Sequence, residues 1–300
     1  SKDYKAYHGR NLREIPQISR LGKELIEEIE IVSQVFPFKV NNYVLDHLIH
    51  WDEAPEDPMF RAVFPRREML GDAAFATLAA AVARDADSLE QRGFDVPALG
   101  EQRPPGIEHK YRETVLFFPS QAQTCHAYCT FCFRWPQFVG PGTGRFAARE
   151  TGSLIAWLRA HPEVSDVLYT GGDPLIMSAR TLASYLLPVV EAGLPHVQRI
   201  RIGTKALGFW PYRFVSDPDA PELLALFRRI VRSGHHLALM AHFNHPRELE
   251  TDVVQEALSH LRETGIEIRT QSPLLRGIND HASVWADLWR MQVNHGCVPY

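Results

Sequence analysis

Apolar positions beyond about residue 105 repeat with two alternating periods. Short apolar or β-branched runs, typical of buried strands, begin at Val115, Val164, Val197, His236, Ile266 and Cys297. Between them, apolar residues recur at the spacing of one helix face, as at Leu182, Leu186 and Val189. Successive runs begin roughly 30 to 50 residues apart, the length of one strand-plus-helix unit. Such units ending on a sixth strand predict an α/β fold with a partial (β/α)6 parallel barrel.

Glycines mark the ends of the predicted helices. Gly193, Gly234, Gly265 and Gly296 each follow a helical segment and precede the next strand, as glycines just past a helix C-terminus commonly do. Parallel strands bring their carboxyl ends to one edge of the sheet, where the active sites of barrel folds are assembled. We therefore expect chemically active residues in the segments that follow each strand.

The first hundred residues lack this alternation and are predicted to be mainly helical. Segment 22–35 has its apolar positions in helical register, and segment 73–92 is rich in alanine. The stretch 96–105, VPALGEQRPP, has the proline content typical of a linker. These features predict a helical N-terminal region over residues 1–105 and a barrel over residues 106–300.

Composition narrows the class of protein. The 300 residues are 45% hydrophobic and 23% charged, which excludes a disordered chain. The net charge of −4 lacks the basic excess typical of nucleic-acid-binding proteins, so no nucleic-acid partner is expected. No apolar run approaches the roughly 20 residues of a membrane-spanning helix, so no membrane association is expected. The N-terminal segment SKDYKAYHGR lacks the apolar core of a signal peptide, and we expect a cytoplasmic protein.

Three of the four cysteines lie within eight positions. Cys125, Cys129 and Cys132 have the spacing C-x3-C-x2-C, which points to a metal centre. Three thiolates on one loop can hold three corners of a [4Fe–4S] cluster and leave the fourth iron free for a small ligand. The alternative is a zinc site completed by His126 or by a distant histidine. Cys297 is predicted to be a buried strand cysteine, with a fourth-ligand role as the less favoured interpretation.

This spacing, with the aromatic Phe131 before the third cysteine, resembles the signature of radical S-adenosylmethionine enzymes. The resemblance implies that S-adenosyl-L-methionine binds the open iron of the cluster through its amino and carboxylate groups. It also implies reductive cleavage of S-adenosylmethionine to a 5′-deoxyadenosyl radical. A small electron-transfer protein such as flavodoxin or ferredoxin would be the reductant.

Further segments resemble the lysine 2,3-aminomutase family within that superfamily. They are YTGGDPL (169–175), IRIGTKA (200–206), AHFNHPREL (241–249) and TQSPLLRGIND (270–280). They occur in this order at the ends of the second to fifth predicted strands. The resemblance covers about residues 40 to 300. It implies a barrel of the radical S-adenosylmethionine type and an isomerase, an aminomutase that moves an amino group on an amino acid.

The GGD turn, Gly171 to Asp173, is the first of these segments with predicted chemistry. Glycines at Gly171 and Gly172 permit close approach of the backbone to a ligand, and Asp173 can accept hydrogen bonds from an ammonium group. By resemblance, this turn binds the amino group of S-adenosylmethionine. The alternative is a plain strand-to-helix turn, which would need the glycines but not the aspartate.

Polar residues near other strand ends complete the predicted cofactor side: Arg201, Asn244, His245, Gln271 and Ser272. Asn244 and His245 lie in HFNHP, where the resemblance implies contact with S-adenosylmethionine or the cofactor region, although an isolated histidine is more often structural. Gln271 and Ser272 interrupt an apolar strand end and are expected to line the cavity. Arg201 has a similar but weaker argument, as a residue placed near the end of the third predicted strand.

Arg134 and Asp280 are the candidates for substrate binding. Arg134 matches an arginine that in the family holds the α-carboxylate of the substrate, and the donor fork of a guanidinium fits a carboxylate. Asp280 matches the family aspartate that binds the distal amino group of lysine, and a buried carboxylate there would favour a cationic substrate tail. The alternative for Asp280 is an N-cap of the helix that follows it.

The chain also departs from the family pattern. Lys110 and Thr114 occupy positions where lysine mutases tend to have arginines directed to the phosphate of pyridoxal 5′-phosphate. The lysine that carries this cofactor in the family lies downstream of the sixth strand, whereas this chain reaches Tyr300 within that strand. We expect either a truncated chain or an enzyme without pyridoxal phosphate. Lys205, the lysine nearest a strand end, is expected to be solvated or structural.

Three functions remain open on the sequence. The first is a radical S-adenosylmethionine aminomutase that acts on a small amino-acid substrate with pyridoxal phosphate. The second is a radical enzyme of the same barrel that abstracts hydrogen from another substrate without pyridoxal phosphate. The third is an iron–sulfur or zinc protein with a binding or electron-transfer role, which the GGDP and HFNHP segments disfavour. Because family members are often oligomeric, a homo-oligomer is also an open expectation.

Overall fold

The computed structural model describes residues 3–82, 104–135 and 146–300. Its strands are β1 (Ala6–His8), β2 (Lys39–Asn41), β3 (Ile107–Tyr111), β4 (Thr114–Phe117), β5 (Asp166–Tyr169), β6 (Arg199–Thr204), β7 (His236–His242), β8 (Glu267–Gln271) and β9 (Val298–Pro299). Its α-helices are α1 (Lys23–Val32), α2 (Pro58–Val63), α3 (Asp72–Val82), α4 (Gly152–Ala160), α5 (Ala179–Val190), α6 (Ala206–Phe209), α7 (Ala220–Arg232), α8 (Asp252–Arg262) and α9 (Ala282–Asn294). The fold is therefore of the α/β class.

Seven strands form one sheet in the order β3-β4-β5-β6-β7-β8-β9. Strands β4 to β9 are parallel, which confirms the predicted alternation of strands and helices. At one edge the sheet has an additional strand that the sequence did not predict, β3, which runs antiparallel to β4. Only Arg112 and Glu113 separate these two strands. A two-residue turn joins antiparallel strands, whereas parallel strands need a crossover of a dozen or more residues.

The helices between the parallel strands bury the faces that the periodicity predicts. Each of the following predicted face residues is at most 1% exposed: Leu182, Leu186, Val189, Leu223, Phe227, Ile230, Val254, Leu258 and Leu261. The glycines predicted to end the helices have φ between +66° and +93°, the left-handed region in which glycine is favoured. The local pattern therefore places both the helix faces and the helix ends correctly.

The N-terminal region is less helical than predicted. It contains the antiparallel pair β1 and β2, in which Tyr7 is opposite Val40, and several short turns between the helices. This pairing joins residues more than 30 positions apart, which local periodicity does not reveal. Residues 83–92 of the predicted second helix and 96–103 of the predicted linker lie outside the described residues. The boundary at residue 105 therefore stays a prediction.

One hydrophobic cluster connects the N-terminal region to the sheet. It contains Val40 and Phe60 from the first 65 residues, Val167 from β5, and both Ala122 and Ala127 from the cysteine-bearing segment after β4. That segment consequently packs against both parts of the chain. No helix in the described parts of the chain is long and apolar enough to cross a membrane.

Candidate active site

The cysteine loop, residues 123–135, begins beyond the carboxyl end of β4, after a short turn over Ser120–Ala122. The thiols of Cys125, Cys129 and Cys132 are half-buried. Burial raises the pKa of all three, to about 12 for Cys129, and the other two thiols raise the pKa of Cys125 further. The three thiols therefore lie close enough to interact electrostatically. A bound cationic metal centre is what would favour their thiolate forms.

The N-terminal region holds this loop through its backbone. The N–H of Tyr128 donates to the carbonyl of Lys39 at 2.8 Å, and that of Thr130 donates to the carbonyl of Ala62 at 2.9 Å. The carbonyl of His126 accepts hydrogen bonds from the Tyr4 hydroxyl at 2.8 Å and from the Asn41 side chain at 3.2 Å. No role at the site was predicted for these N-terminal residues, because their contacts join positions 68 to 122 apart, which no local motif marks.

The GGD turn packs directly on the start of the cysteine loop. A Cβ atom at Gly172 would lie within 2.6 Å of the backbone nitrogen of Thr124, and one at Gly171 would lie 2.9 Å from the carbonyl oxygen of Ala122. Gly171 also has φ of +153°. Both glycines are thus required by close approach of the turn to the chain's own backbone. Their predicted contact with a ligand stays a prediction.

Asp173 joins three parts of the site. Its carboxylate, in a side chain 2% exposed, accepts hydrogen bonds from the Thr204 hydroxyl at 2.8 Å and the Lys205 N–H at 2.8 Å. It also accepts from the Leu175 N–H at 2.9 Å, while its own N–H donates to the carbonyl of Thr124 at 2.8 Å. Burial raises the pKa of Asp173 and these bonds oppose that shift. Asp173 therefore ties the ends of β5 and β6 to the cysteine loop.

The HFNHP segment meets the cysteine loop although it follows it by more than 100 positions. The ring of Phe131 lies edge-on to the ring of His242, with 5.9 Å between centroids. The charges of Lys205 and Glu248 reach Cys129, where Lys205 lowers the thiol pKa and Glu248 raises it. Burial and Lys205 lower the pKa of His242 to about 3, so this imidazole is neutral near pH 7.

Asn244 is the most confined of the predicted cofactor residues. It is 0% exposed, its amide nitrogen donates to Ser272 Oγ at 2.7 Å, and its side-chain oxygen has no hydrogen-bond partner among the described residues. Asn279, a buried residue with no predicted role, donates to Ser272 Oγ at 3.2 Å and to the carbonyl of Asn244 at 3.1 Å. Asn244 and Ser272 are thus brought together, and one buried acceptor is left for a ligand.

A buried ion pair lies beneath this network. Lys205 Nζ donates to Glu248 Oε2 at 2.6 Å and to the carbonyl of His242 at 3.1 Å. The other oxygen of Glu248 accepts from the N–H groups of Asn244 at 2.7 Å and His245 at 3.2 Å. Of the two expectations for Lys205, the structural one is therefore confirmed and the solvated one is wrong.

His245 acts locally as an N-cap. Its Nδ1 accepts a hydrogen bond from the N–H of Arg247 at 3.3 Å at the start of a short turn over Pro246–Leu249. Burial and the nearby Arg247 lower the pKa of His245 to about 4. The imidazole is consequently neutral near pH 7, and its predicted contact with the cofactor stays a prediction.

Gln271 and Arg201 lie apart from one another. Gln271 is exposed at the end of β8, next to His242 in the register of the sheet. Arg201 is not at a strand end, contrary to the expectation, but is the third residue of β6, where it forms an ion pair with Asp166 at the start of β5. In a parallel sheet, strand starts and carboxyl ends lie at opposite edges. The predicted cofactor contact of Arg201 has no support from this placement.

The two predicted substrate residues differ in burial. Arg134 is half-buried with its guanidinium carbon 3.9 Å from the centroid of the Phe118 ring, and burial lowers its pKa to about 10. Asp280 is exposed, so the expectation of a buried carboxylate there is wrong. The N-cap alternative is also wrong, because His281 is the N-cap residue of α9. The Gly277 N–H donates to Asp280 and lowers its pKa.

The zinc alternative is not favoured by the geometry. Four ligands about 2.0–2.3 Å from one zinc ion must lie within about 4 Å of one another. In the described residues, compact groups of three such ligand atoms occur at His109, His161 and Glu163 and at His50, Glu53 and Asp57, and neither group includes a cysteine or His126. Cys297 is buried, and burial raises its pKa while the nearby Arg262 lowers it.

Similarity to known proteins identifies the family. The chain is 36% identical over 263 residues to a protein of Aquifex aeolicus that carries the name of an L-lysine 2,3-aminomutase, with 88% of this chain and 63% of that protein aligned. A second Aquifex aeolicus protein of the same name is 30% identical, over 94% of this chain and 68% of its own length. The chain belongs to the lysine 2,3-aminomutase family.

A third member of the lysine 2,3-aminomutase family is the L-lysine 2,3-aminomutase of Escherichia coli, 31% identical over 69% of this chain and 57% of its own. The chain thus spans a little under two thirds of the length of these aminomutases on average. A scan of protein-family profiles finds no match.

The described residues fit the iron–sulfur cluster and S-adenosylmethionine that the aminomutase family implies. Three thiols on one loop are the donor set of a cluster with one open iron. The unpartnered Asn244 oxygen offers a buried acceptor for the cosubstrate. Two buried or half-buried lysines lie at the site, where Lys205 is bound to Glu248 and Lys39 to the carbonyl of Cys125.

Proposed function

We propose that this chain binds a [4Fe–4S] cluster through Cys125, Cys129 and Cys132 and cleaves S-adenosylmethionine reductively to start an aminomutase reaction. The observation that carries the proposal is the convergence of the cysteine loop, the GGD turn and the HFNHP segment at one edge of the sheet. We further infer that the seven-stranded sheet is the wall of a partial (β/α)6 barrel of the radical S-adenosylmethionine type.

The residues around the cluster have distinct tasks in this proposal. The bound cluster would supply one electron to S-adenosylmethionine. The backbone bonds from Lys39, Ala62 and Asp173 hold the cysteine loop in place, and Gly171 and Gly172 allow it to pack on the GGD turn. Pre-ordered ligands reduce the entropy lost on binding. The Phe131 and His242 rings contribute apolar surface that excludes water from the site.

The cosubstrate would lie between the cysteine loop and β7. Asn244 Oδ1 is the acceptor placed to receive a hydrogen bond from it, and the neutral imidazoles of His242 and His245 add no charge that would repel its sulfonium. Ser272 and Asn279 fix the orientation of Asn244. Gln271, which is exposed at the same edge, extends the polar lining outwards.

The proposed substrate is a free amino acid whose α-carboxylate binds Arg134. The guanidinium lies two residues beyond Cys132 and contacts the face of the Phe118 ring, and a guanidinium fork matches the two oxygens of a carboxylate. Asp280, exposed and ionised, is placed to attract a cationic substrate tail from solvent but not to bury one.

Anaerobic reconstitution tests the proposal. We expect about four iron and four sulfide ions per chain and formation of 5′-deoxyadenosine from S-adenosylmethionine under dithionite. Cys125→Ala, Cys129→Ala and Cys132→Ala should each abolish this reaction, whereas Cys297→Ala, the matched control, should keep the cluster. Retention of the cluster in a loop variant together with its loss in Cys297→Ala would refute the assignment. Borohydride reduction, which fixes a lysine-bound pyridoxal phosphate, separates aminomutation with that cofactor from hydrogen abstraction without it.

A further inference from the structure

A buried lysine lies directly behind the cysteine loop. Lys39, in β2, is 8% exposed, and its ammonium donates to the carbonyl oxygen of Cys125 at 2.6 Å. A longer bond of 3.4 Å reaches Thr124 Oγ1. Its Nζ also lies 5.9 Å from the ring centroids of both Tyr4 and Tyr128, within the range of a cation–π interaction. Neutral acceptors and aromatic rings thus surround the cation.

No carboxylate balances this charge within the described part of the chain. There, the lysine ion pairs are those of Lys23 with Glu27 and of Lys205 with Glu248. Lys205 is a close comparison, since it is buried to a similar extent but has a carboxylate at 2.6 Å. A buried ammonium without a counter-ion is costly, and burial accordingly lowers the pKa of Lys39. The surroundings of Lys39 are therefore incomplete without an anion.

The cysteine loop is where that anion would lie. The carbonyl oxygen of Cys125, one of the three proposed cluster ligands, lies 2.6 Å from the Lys39 ammonium. The position of Lys39 does not depend on its side chain alone, because its carbonyl accepts the Tyr128 N–H at 2.8 Å and β2 pairs with β1. The N-terminal region therefore delivers a fixed positive charge to the back of the three thiols.

We propose that Lys39 is the counter-charge of the cluster and raises its reduction potential. This inference rests on the proposed function, because the anion is the cluster with its three thiolates. On reduction, one electron passes from the reductant to the cluster, whose net charge becomes more negative by one. A cation buried nearby stabilises the reduced form more than the oxidised form, since the interaction scales with charge. No proton transfer is needed for this balance.

Redox titration followed by electron paramagnetic resonance tests the proposal on the reconstituted full chain without S-adenosylmethionine or substrate. Lys39→Met removes both the charge and the donor, Lys39→Gln removes the charge but keeps an N–H donor on a shorter side chain, and Lys39→Arg keeps both charge and donors. Lys5→Met is the matched control, because Lys5 is an exposed cation beside the same small sheet. We expect Lys39→Met and Lys39→Gln to lower the ratio of reduced to oxidised cluster about tenfold at a fixed potential, a shift of about 59 mV.

Each outcome decides between the two proposals. A wild-type chain that binds no cluster overturns the proposed function and this inference with it. A wild-type cluster whose potential is unchanged in Lys39→Met, or is changed there but not in Lys39→Gln, overturns only the role of the Lys39 charge. If both neutral variants lose iron while Lys39→Arg and Lys5→Met keep it, the counter-charge is required for binding, which supports the proposal. Loss of iron in Lys39→Arg as well would show that shape and not charge matters.

Discussion

Of the two predicted substrate residues, Arg134 is the one whose surroundings change its properties more. Its guanidinium stacks on Phe118, and burial lowers its pKa only to about 10, so it remains charged at pH 7. Asp280 also lies in a segment that resembles the family, but its side chain is exposed to solvent. A motif therefore predicts the type of residue, while its environment decides the strength of any interaction.

Substitution of Arg134 tests substrate binding. Lysine offers a point charge in place of a two-pronged donor, so Arg134→Lys should weaken substrate-dependent turnover by roughly 2 to 3 kcal/mol, about 30- to 150-fold. Cleavage of S-adenosylmethionine without substrate should stay near the wild-type rate. Arg112→Lys, in an exposed turn, is the control for an arginine-to-lysine substitution outside the site. Unchanged turnover in Arg134→Lys would mean that the substrate carboxylate binds elsewhere.

His245 makes stability depend on pH. Its pKa is about 4 in the folded chain against 6.5 unfolded, and protonation of Nδ1 would break its bond from the Arg247 N–H. The unfolded chain thus binds the proton more tightly. The contribution is fully present above pH 6.5 and is lost as the pH falls towards 4, by up to roughly 3 kcal/mol.

His245→Asn isolates this effect, because asparagine can still cap the turn but does not titrate. Urea unfolding of the cluster-free protein at pH 7 and pH 5 should show a smaller acid-induced loss in the variant than in the wild type. Other buried histidines titrate equally in both proteins and cancel in the difference. Equal losses would show that His245 does not contribute.

At the scale of elements, the GGD turn and the cysteine loop are one packed unit. Gly172 lies against the backbone of Thr124, and the Asp173 N–H donates to the carbonyl of that residue. Backbone atoms cannot rotate away as a flexible side chain can. A methyl group at Gly172 must therefore displace the loop that carries the cysteines.

Gly172→Ala should consequently lose most of its iron on reconstitution while its far-ultraviolet circular dichroism stays close to the wild type. Gly152→Ala is the matched control, because a Cβ atom at Gly152 has no neighbour within 4 Å. We expect full iron content in that variant. Normal iron loading in Gly172→Ala would mean that the loop can shift without disturbing its thiols.

At the scale of the whole molecule, the N-terminal region belongs to the active site. It supplies the carbonyls of Lys39 and Ala62 to the cysteine loop and shares one hydrophobic cluster with the sheet. Each buried large apolar side chain contributes about 1.5–3 kcal/mol, and a whole domain is stable by only about 5–15 kcal/mol. Removal of the N-terminal region would therefore cost more free energy than the total free energy of unfolding of a domain.

A fragment comprising residues 106–300 should therefore unfold without a cooperative transition in urea and should not bind the cluster. The full chain is the reference, and addition of a separate fragment of residues 1–105 should restore part of the transition. A cooperative transition in the fragment at the midpoint of the full chain would instead show that the predicted boundary near residue 105 separates two independent domains.

The sequence by itself determined those features that depend on the spacing of neighbouring residues. Helix faces such as Leu182 and Leu186, the ends at Gly193 and Gly234, and the cysteine triplet all depend on residues within one or two turns of each other. Such patterns follow from backbone geometry and need no distant partner. The order of parallel strands then follows from the short connections between them.

Long-range contacts account for the rest. The pairing of β1 with β2, the bonds of Asp173 to Thr124, Thr204 and Lys205, and the bond from Lys39 to Cys125 each join segments that are distant in sequence. Burial of Asp173 and exposure of Asp280 likewise depend on what the folded chain places around them. A side chain's partners are set by packing in three dimensions, so identical local motifs can be buried in one fold and solvated in another.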